Sequence, residues 1–377
     1  YLMEKLTRKE PKVLSLTSKA PSAPKGWQSA AKILYSQNTT AQAKAVKHSR
    51  SLNTSAVRIL DAPLLSDDFY CNLLDWSSKG IVSVGLENRI FLWNAATGNV
   101  ECLVEQPASD PIVSCRFTQD GNHLAIGTEM GLIQIWNIPK GKQVRSLTGH
   151  AGRVTSLDWS SWSLASGSRD QTIQLHDVRV SRHRYATLTE HTQEICGLAW
   201  SPSGKHFASG SNDNSVKIWR REGGKSIHTL KEHSAAVKAL AWAPFQHDLL
   251  ATGGGTTDRS ICIWNTTSGR CIERVDTESQ VSALIWSPYG RELLSAHGFQ
   301  HNQLTLWSYP RLTRIGDFTG HTNRVLHARL GPDNVTVVSA GDDTLRFWRV
   351  FSSQPEKETP SESDHVDDVI GRGLPLK

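Results

Sequence analysis

The 377-residue sequence predicts an all-β fold, a seven-bladed β-propeller flanked by two disordered tails. Three observations carry this. First, an alternating apolar strand closed by an aromatic recurs seven times: Arg89-Ile-Phe-Leu-Trp93, Leu132-Ile-Gln-Ile-Trp136, Thr172-Ile-Gln-Leu-His176, Ser215-Val-Lys-Ile-Trp219, Ser260-Ile-Cys-Ile-Trp264, Gln303-Leu-Thr-Leu-Trp307 and Thr344-Leu-Arg-Phe-Trp348. The steps are 43, 40, 43, 45, 43 and 41 residues, and a fixed period of this size marks a repeat array in which each unit buries its apolar face against the next. Second, another aromatic marks a partner strand at Trp76, Phe117, Trp159, Trp200, Trp242 and Trp286, with Ala328 or Leu330 in the weakest, seventh copy. Third, a small-residue strand such as Leu164-Ala-Ser-Gly-Ser168 precedes a turn bearing Asp170, Asp213, Asp258 or Asp342, always six residues before the terminal aromatic.

Taken in order along the chain, residues 1–54 form a Ser-, Lys-, Ala- and Gln-rich arm with few large apolar groups, a composition expected to be disordered unless bound. The β-rich segment Ala56-Val-Arg-Ile-Leu60 follows. Because the chain turns polar and acidic soon after Trp348, the last unit lacks an outermost strand, and an open edge would pair indiscriminately. Residues 56–60 are therefore expected to close the ring, giving a propeller over 55–351. Residues 352–377 form an acidic tail expected to be disordered. The repeats resemble the WD repeat, a four-stranded propeller blade of about 40 to 45 residues. Met130 and His301 stand where the turn Asp is expected, and His176 replaces a Trp.

The net charge of +6 divides unevenly. Residues 1–60 hold eleven Lys and Arg against Glu4 and Glu10, residues 352–377 hold three against six acids, and residues 61–351 hold 28 of each sign. The basicity belongs to the arm, so the overall charge does not argue for a nucleic-acid-binding face. Binding through the arm is a separate possibility that salt dependence would test. No stretch approaches the roughly 18 apolar residues of a membrane helix, and the Lys-rich, Pro-broken segment 1–20 has no apolar run of a signal peptide. Six cysteines without a C-x-x-C pair point to a reducing compartment and to no metal site.

His150, His191, His233 and His321 open several units, each with a Ser or Thr and an Asp in the same unit. The trio recurs, whereas an active site does not come in sets, so the reading is a structural network that satisfies buried polar groups. Gly253-Gly-Gly255 lacks the helix and G-K-[ST] of a phosphate loop. Asp67-Asp68, Asp342-Asp343 and Asp367-Asp368 read as solvated turns. No enzyme signature and no cofactor site survive, which leaves binding.

Two loop sets should reach one face of the ring. Arg153, Glu194, Ala236, Gln280 and Arg324 precede the innermost strands; Asn212, Asn214, Thr256 and Asp343 sit about the turns. Together they make a ring of amides and charges suited to a short polar peptide, with an ordinary wet rim as the plain alternative. In the arm, Lys32-Ile-Leu-Tyr-Ser36 and Lys12-Val-Leu-Ser-Leu16 are two short apolar segments that could add a strand to a partner's sheet. The pattern alone leaves them level.

Three groups of residues then carry a family resemblance. Arg58-Ile-Leu-Asp-Ala-Pro63 with Tyr70-Cys-Asn-Leu-Leu-Asp-Trp-Ser77, Gly253-Gly-Gly-Thr-Thr-Asp-Arg259 with Ser295-Ala-His-Gly-Phe299, and Lys32-Ile-Leu-Tyr-Ser36 resemble the Fizzy family, propeller co-activators of the anaphase-promoting complex, over nearly the whole chain. The last segment looks like the checkpoint-binding element of the mitotic branch. The resemblance implies a non-enzymatic receptor that presents cyclins and securin to this ubiquitin ligase by reading KEN-box and destruction-box degrons. It assigns the KEN box to Asn212, Asn214, Thr256, Gln280 and Arg324, and the destruction-box Arg to Asp61 and Asp343. It implies that Lys32, Ile33, Leu34, Tyr35 and Ser36 are gripped by a mitotic-arrest-deficient-type protein, and that a BubR-type partner offers a pseudosubstrate KEN. Ligase subunits are the remaining partners implied; nucleic acid and membrane are not among them. Residence in nucleus and cytoplasm is expected. No D-R-[YF]-I-P segment stands before Lys32 and the final residues are Leu374-Pro-Leu-Lys377 instead of an Ile-Arg ending, so Tyr1 is expected not to be the natural start. A generic WD-repeat scaffold without degron specificity is the alternative.

Overall fold

The computed structural model describes residues 52–299 and 301–353. Seven four-stranded antiparallel sheets occupy this span. Blades 1 to 6 are continuous in sequence, at residues 74–105, 112–147, 154–188, 195–230, 237–276 and 281–318, each running outward strand by strand. The first strands of successive blades touch one another in a closed circuit that includes the contact of blade 7 with blade 1. This is the predicted all-β seven-bladed propeller, and its channel is lined by those first strands.

Blade 7 is assembled from both ends of this unit. Its three inner strands are His327–Leu330, Thr336–Gly341 and Thr344–Arg349, and its outer strand is Arg58–Asp61. The pairing is antiparallel, Arg58 opposite Phe347 through Asp61 opposite Thr344. Backbone bonds from Val57 N–H to the Phe347 carbonyl and from Ala62 N–H to the Asp343 carbonyl, both 2.7 Å, extend it at each end. The closing strand therefore lies two residues further along at its start than the segment 56–60 read from β-character. Ala56 instead packs against the blade 6–7 core of Phe318, Val325 and Trp348.

The repeated residue types follow from blade-on-blade packing. Second strands such as Ser163–Ser168 are buried along their whole length, and glycines such as Gly167 stand where the neighbouring sheet comes closest. A Cβ on Gly210 would overlap the Val237 carbonyl at the start of the next blade's first strand, which fixes glycine there. The partner-strand indoles join blades: Trp159, Trp200, Trp242 and Trp286 donate from Nε1 to the carbonyls of Arg116, Asp158, Ala199 and Ala241 on the preceding first strand, at 2.9–3.2 Å.

The terminal aromatics serve within blades. In blade 4 Asp213 accepts from His191 Nδ1 (2.8 Å), His191 Nε2 meets Ser209 Oγ (2.7 Å), and Trp219 Nε1 donates to that hydroxyl (2.7 Å). Blade 5 repeats the chain with Asp258, His233, Thr252 and Trp264, and blade 7 with Asp342, His321, Ser339 and Trp348. Blade 3 substitutes His176 for the indole: Ser166 Oγ lies 2.8 Å from His150 Nε2 and 2.9 Å from His176 Nε2. In blade 6, where His301 takes the turn position, His297 Nε2 approaches Ser295 Oγ at 2.6 Å and Trp307 donates to the same oxygen. These chains hold strand to turn and are not catalytic.

They also make stability pH-dependent. Burial lowers His176 to about 3 and His297 to about 4 and pulls His321 down as well. An unfolded chain takes these protons near pH 6.5; the folded chain takes those of His176 and His297 only well below it, and that of His321 at lower pH than the unfolded chain does. Stability is therefore complete above pH 6.5 and lost on acidification through that window, each such histidine adding a slope of about 1.4 kcal/mol per pH unit. The thermal midpoint is expected to fall between pH 6.5 and 4.5. His176→Trp, which restores the residue found at that position elsewhere in the ring, should make the fall shallower; an unaltered slope would contradict the assignment.

Candidate peptide-binding face

The turns that carry Asn212–Asn214, Thr256 and Asp343 link the second and third strands of blades 4, 5 and 7, so all project on one side of the ring. Across that side runs residues 62–73, the segment joining the closing strand to blade 1. It has to pass from the outside of blade 7 to the channel, and it makes contacts all the way. Phe69 is buried against Cys196, Ala236 and Leu326 at the channel mouth. Lys238, on the first strand of blade 5, donates from Nζ to the Cys71 carbonyl (2.7 Å) and the Leu326 carbonyl (3.1 Å) and lies 5.5 Å from the Phe69 ring centre. Burial lowers this ammonium to about 7. Asn72 Nδ2 donates to the Thr155 carbonyl at 2.7 Å.

This strap reorganises the predicted ring. Arg153 makes a bidentate pair with Glu194, at 2.6 and 3.1 Å, and its Nη1 donates to Asp68 at 2.6 Å. Both rim residues are thus consumed internally. Burial opposes ionisation of Asp68, yet the Tyr70 N–H and the Arg153 guanidinium outweigh it and hold the carboxyl below its ordinary range. Ala236 lies beneath Phe69 and is buried. The reading of Asp67-Asp68 as a solvated turn is corrected: the two carboxylates reach in opposite directions, Asp68 to Arg153 and Asp67 to Arg324. The missed signal was distance, since a connection from the outermost to an innermost strand must traverse the face.

The other candidate residues lie on an arc over blades 4 to 7. Asn212 accepts from the Tyr70 hydroxyl at 2.9 Å and donates to Gln193 at 2.6 Å. Asn214, at φ 64°, donates to the Ser234 carbonyl at 3.2 Å, bridging to blade 5. Thr256 is exposed on the blade 5 turn. Gln280 is only 4% exposed and its Oε1 is a buried acceptor with no hydrogen-bond partner among the described residues. Gly298 separates Gln280 from Arg324, and a Cβ there would press on Gln280 Oε1. Arg324 stacks over Phe299, 4.9 Å to the ring centre. The structure therefore gathers all five residues on one arc, with Gln280 sunk below it.

Asp61 and Asp343 meet elsewhere, at the outer end of blade 7. Asp61 pairs in register with Thr344, the neighbour of Asp343, and both acids are exposed. Asp343 Oδ1 accepts from Leu65 N–H at 3.1 Å, which anchors the start of the strap. Lys32–Ser36, Lys12–Leu16 and residues 354–377 of the acidic tail lie outside the described residues. Among the described residues no three His, Cys, Asp or Glu side chains are placed to hold a metal ion.

Comparison with known proteins matches residues 60–348 to the CDC20/Fizzy WD40 domain. The chain is 46% identical to the anaphase-promoting complex subunit cdc20 of Dictyostelium discoideum over 370 residues, 95% of this chain and 74% of that protein. It is 48% identical to cell division cycle 20.1, cofactor of APC complex, of Arabidopsis thaliana, covering 82% and 70% of the two chains. The Arabidopsis protein FIZZY-RELATED 2 follows at 45%, covering 84% and 66%. Among solved structures, a chain of the mitotic checkpoint complex crystal structure superposes with a TM-score of 0.79 at 44% identity, over 80% of this chain and 97% of the other.

Proposed function

The chain belongs to the CDC20/Fizzy family, and on that premise we propose that the blade 4–7 arc is its receptor for KEN-type degron peptides. As a Cdc20 homologue it is a co-activator of the anaphase-promoting complex, a non-catalytic adaptor, with the mitotic checkpoint complex as its structural counterpart. The observation that carries the finer reading is the arc itself. Arg324, a planar donor fork held over Phe299, suits a peptide glutamate. Asn212, Asn214 and Thr256 supply donors and acceptors for the peptide's asparagine and backbone. The orphaned Gln280 Oε1 favours the same reading, because a buried unpaired acceptor costs about 1–3 kcal/mol that a ligand N–H would offset.

Asp61 and Asp343 are proposed to pair the arginine of a destruction box at the outer end of blade 7. Cyclin- and securin-like degron proteins are the substrates this implies. Lys32–Ser36 would engage a mitotic-arrest-deficient-type checkpoint protein, while a BubR-type partner would fill the KEN arc as pseudosubstrate. Nucleus and cytoplasm are the compartments in which such partners are met. Single degrons should bind weakly and gain affinity when two sites are engaged by one ligand.

A labelled KEN peptide titrated against the chain tests the arc. Saturable binding is expected, falling at least tenfold for Asn212→Ala with Arg324→Ala. Unchanged affinity would return the face to a scaffold without degron specificity.

A further inference from the structure

We infer that Asp67 is a built-in rival for Arg324, so that an acidic ligand group binds by exchange with the strap's own carboxylate. This rests on the reading of the arc as a degron receptor and goes beyond it by naming a residue that sets its affinity. Arg324 Nε donates to Asp67 Oδ1 at 2.6 Å, and Nη2 donates to the Asp67 backbone carbonyl. The Nε–Nη2 edge, one of those through which a guanidinium grips a carboxylate, is thus filled from within.

The other rim cation is filled too, but differently. Arg153, 14% exposed, is shared between Glu194 and Asp68, whose side chains are 12% and 31% exposed. Displacing either would leave charge in a largely desolvated place. Asp67 is 52% exposed at its side chain while Arg324 is 16% exposed. Released from Arg324, the Asp67 carboxylate is rehydrated at little cost, whereas the arginine stays positioned over Phe299 for the incoming acid. Exchange is therefore affordable at Arg324 and not at Arg153.

The same contact makes Asp67 a discriminator. A ligand with no carboxylate at this point has nothing to offer in place of Asp67 and gains nothing from Arg324. One with a carboxylate but few other contacts only trades one ion pair for another. A peptide that also reaches Asn212, Asn214 and Thr256 gains a net advantage.

Asp67→Asn keeps the shape and the backbone contact and removes the charge. The full chain, Asp67→Asn and Arg324→Ala are titrated with a labelled KEN peptide and with its Glu-to-Gln counterpart, with thermal midpoints recorded to show that each variant folds. Asp67→Asn is expected to bind the KEN peptide about two- to fivefold more tightly, the scale of a half-exposed ion pair, with the Gln peptide unmoved. The gain should shrink at high salt. Equal or weaker KEN binding by Asp67→Asn, with Arg324 still required, overturns the inference and leaves the receptor reading intact. An equal gain for both peptides also overturns it, since the effect would then not pass through the ligand's charge. If Arg324→Ala binds the KEN peptide as well as the unaltered chain does, the receptor reading itself falls.

Discussion

A chain beginning at Ala62 is expected not to form a stable monomeric ring, whereas one beginning at Leu52 is expected to fold. The shorter chain lacks Arg58–Asp61 and with it the pairing to Thr344–Arg349, including the Val57 end of the ladder. At about 1 kcal/mol for each of some five backbone bonds, the direct loss is about 5 kcal/mol. That is comparable to the whole stability of many domains. Leu52 and Ala56, which pack on Phe318 and Trp348, are lost as well. The exposed strand would then offer unpaired N–H and carbonyl groups to other copies. Size-exclusion chromatography and thermal unfolding by circular dichroism check this. A monomer with an unchanged midpoint would show that the closing strand does not hold the ring.

Replacing Asp258 by alanine is expected to cost about 3–5 kcal/mol, the largest effect of a single side chain in the blade networks. Its side chain is fully buried and accepts from His233 Nδ1 and Ser260 Oγ at 2.6 Å, from Ser234 at 3.2 Å and from Arg274 at 3.0 Å. Alanine would strand the buried donors His233 Nδ1 and Ser260 Oγ, each of which would then incur the full desolvation cost of an unpaired group, while Ser234 and Arg274 are exposed enough to turn to water. Gly254 shows how tightly the carboxylate is seated, since a Cβ there would overlap it. Thr256 stands on the same turn, so peptide binding should weaken together with the denaturation midpoint. Asp258→Asn, which keeps an acceptor and the size, should lose less of both. Equal losses from Asn and Ala would mean that the charge alone matters.

The repeat, the small-residue strands and the Asp–His–Ser–Trp chains were legible because each reflects a local demand that returns from blade to blade: alternation on a pleated strand, close approach of two sheets, and satisfaction of buried donors. The closing strand was legible from an edge left without a partner. What escaped was non-local. That Trp159, Trp200, Trp242 and Trp286 bond across blades instead of within them depends on the distance between sheets. The pairing of Arg153 with Glu194 and the sinking of Gln280 depend on residues that only strand and blade packing bring together. Asp67 and Asp68 gave no period to detect, because the strap occurs once. That the candidate residues share one side of the ring follows from their places in the repeat, yet their state, whether open, buried or already paired, belongs to the folded face.

The strap also fixes a length. Residues 62–73 must reach from the closing strand to the first strand of blade 1 while placing Asp67 at Arg324, Asp68 at Arg153, Tyr70 at Asn212 and Cys71 at Lys238. Adding or deleting one residue anywhere along it would throw at least one of these out of step. Spacing in this stretch is therefore as much a part of the proposed binding site as residue identity, and a chain in which it has changed by one is expected to differ in the peptides it binds even where every contact residue is retained.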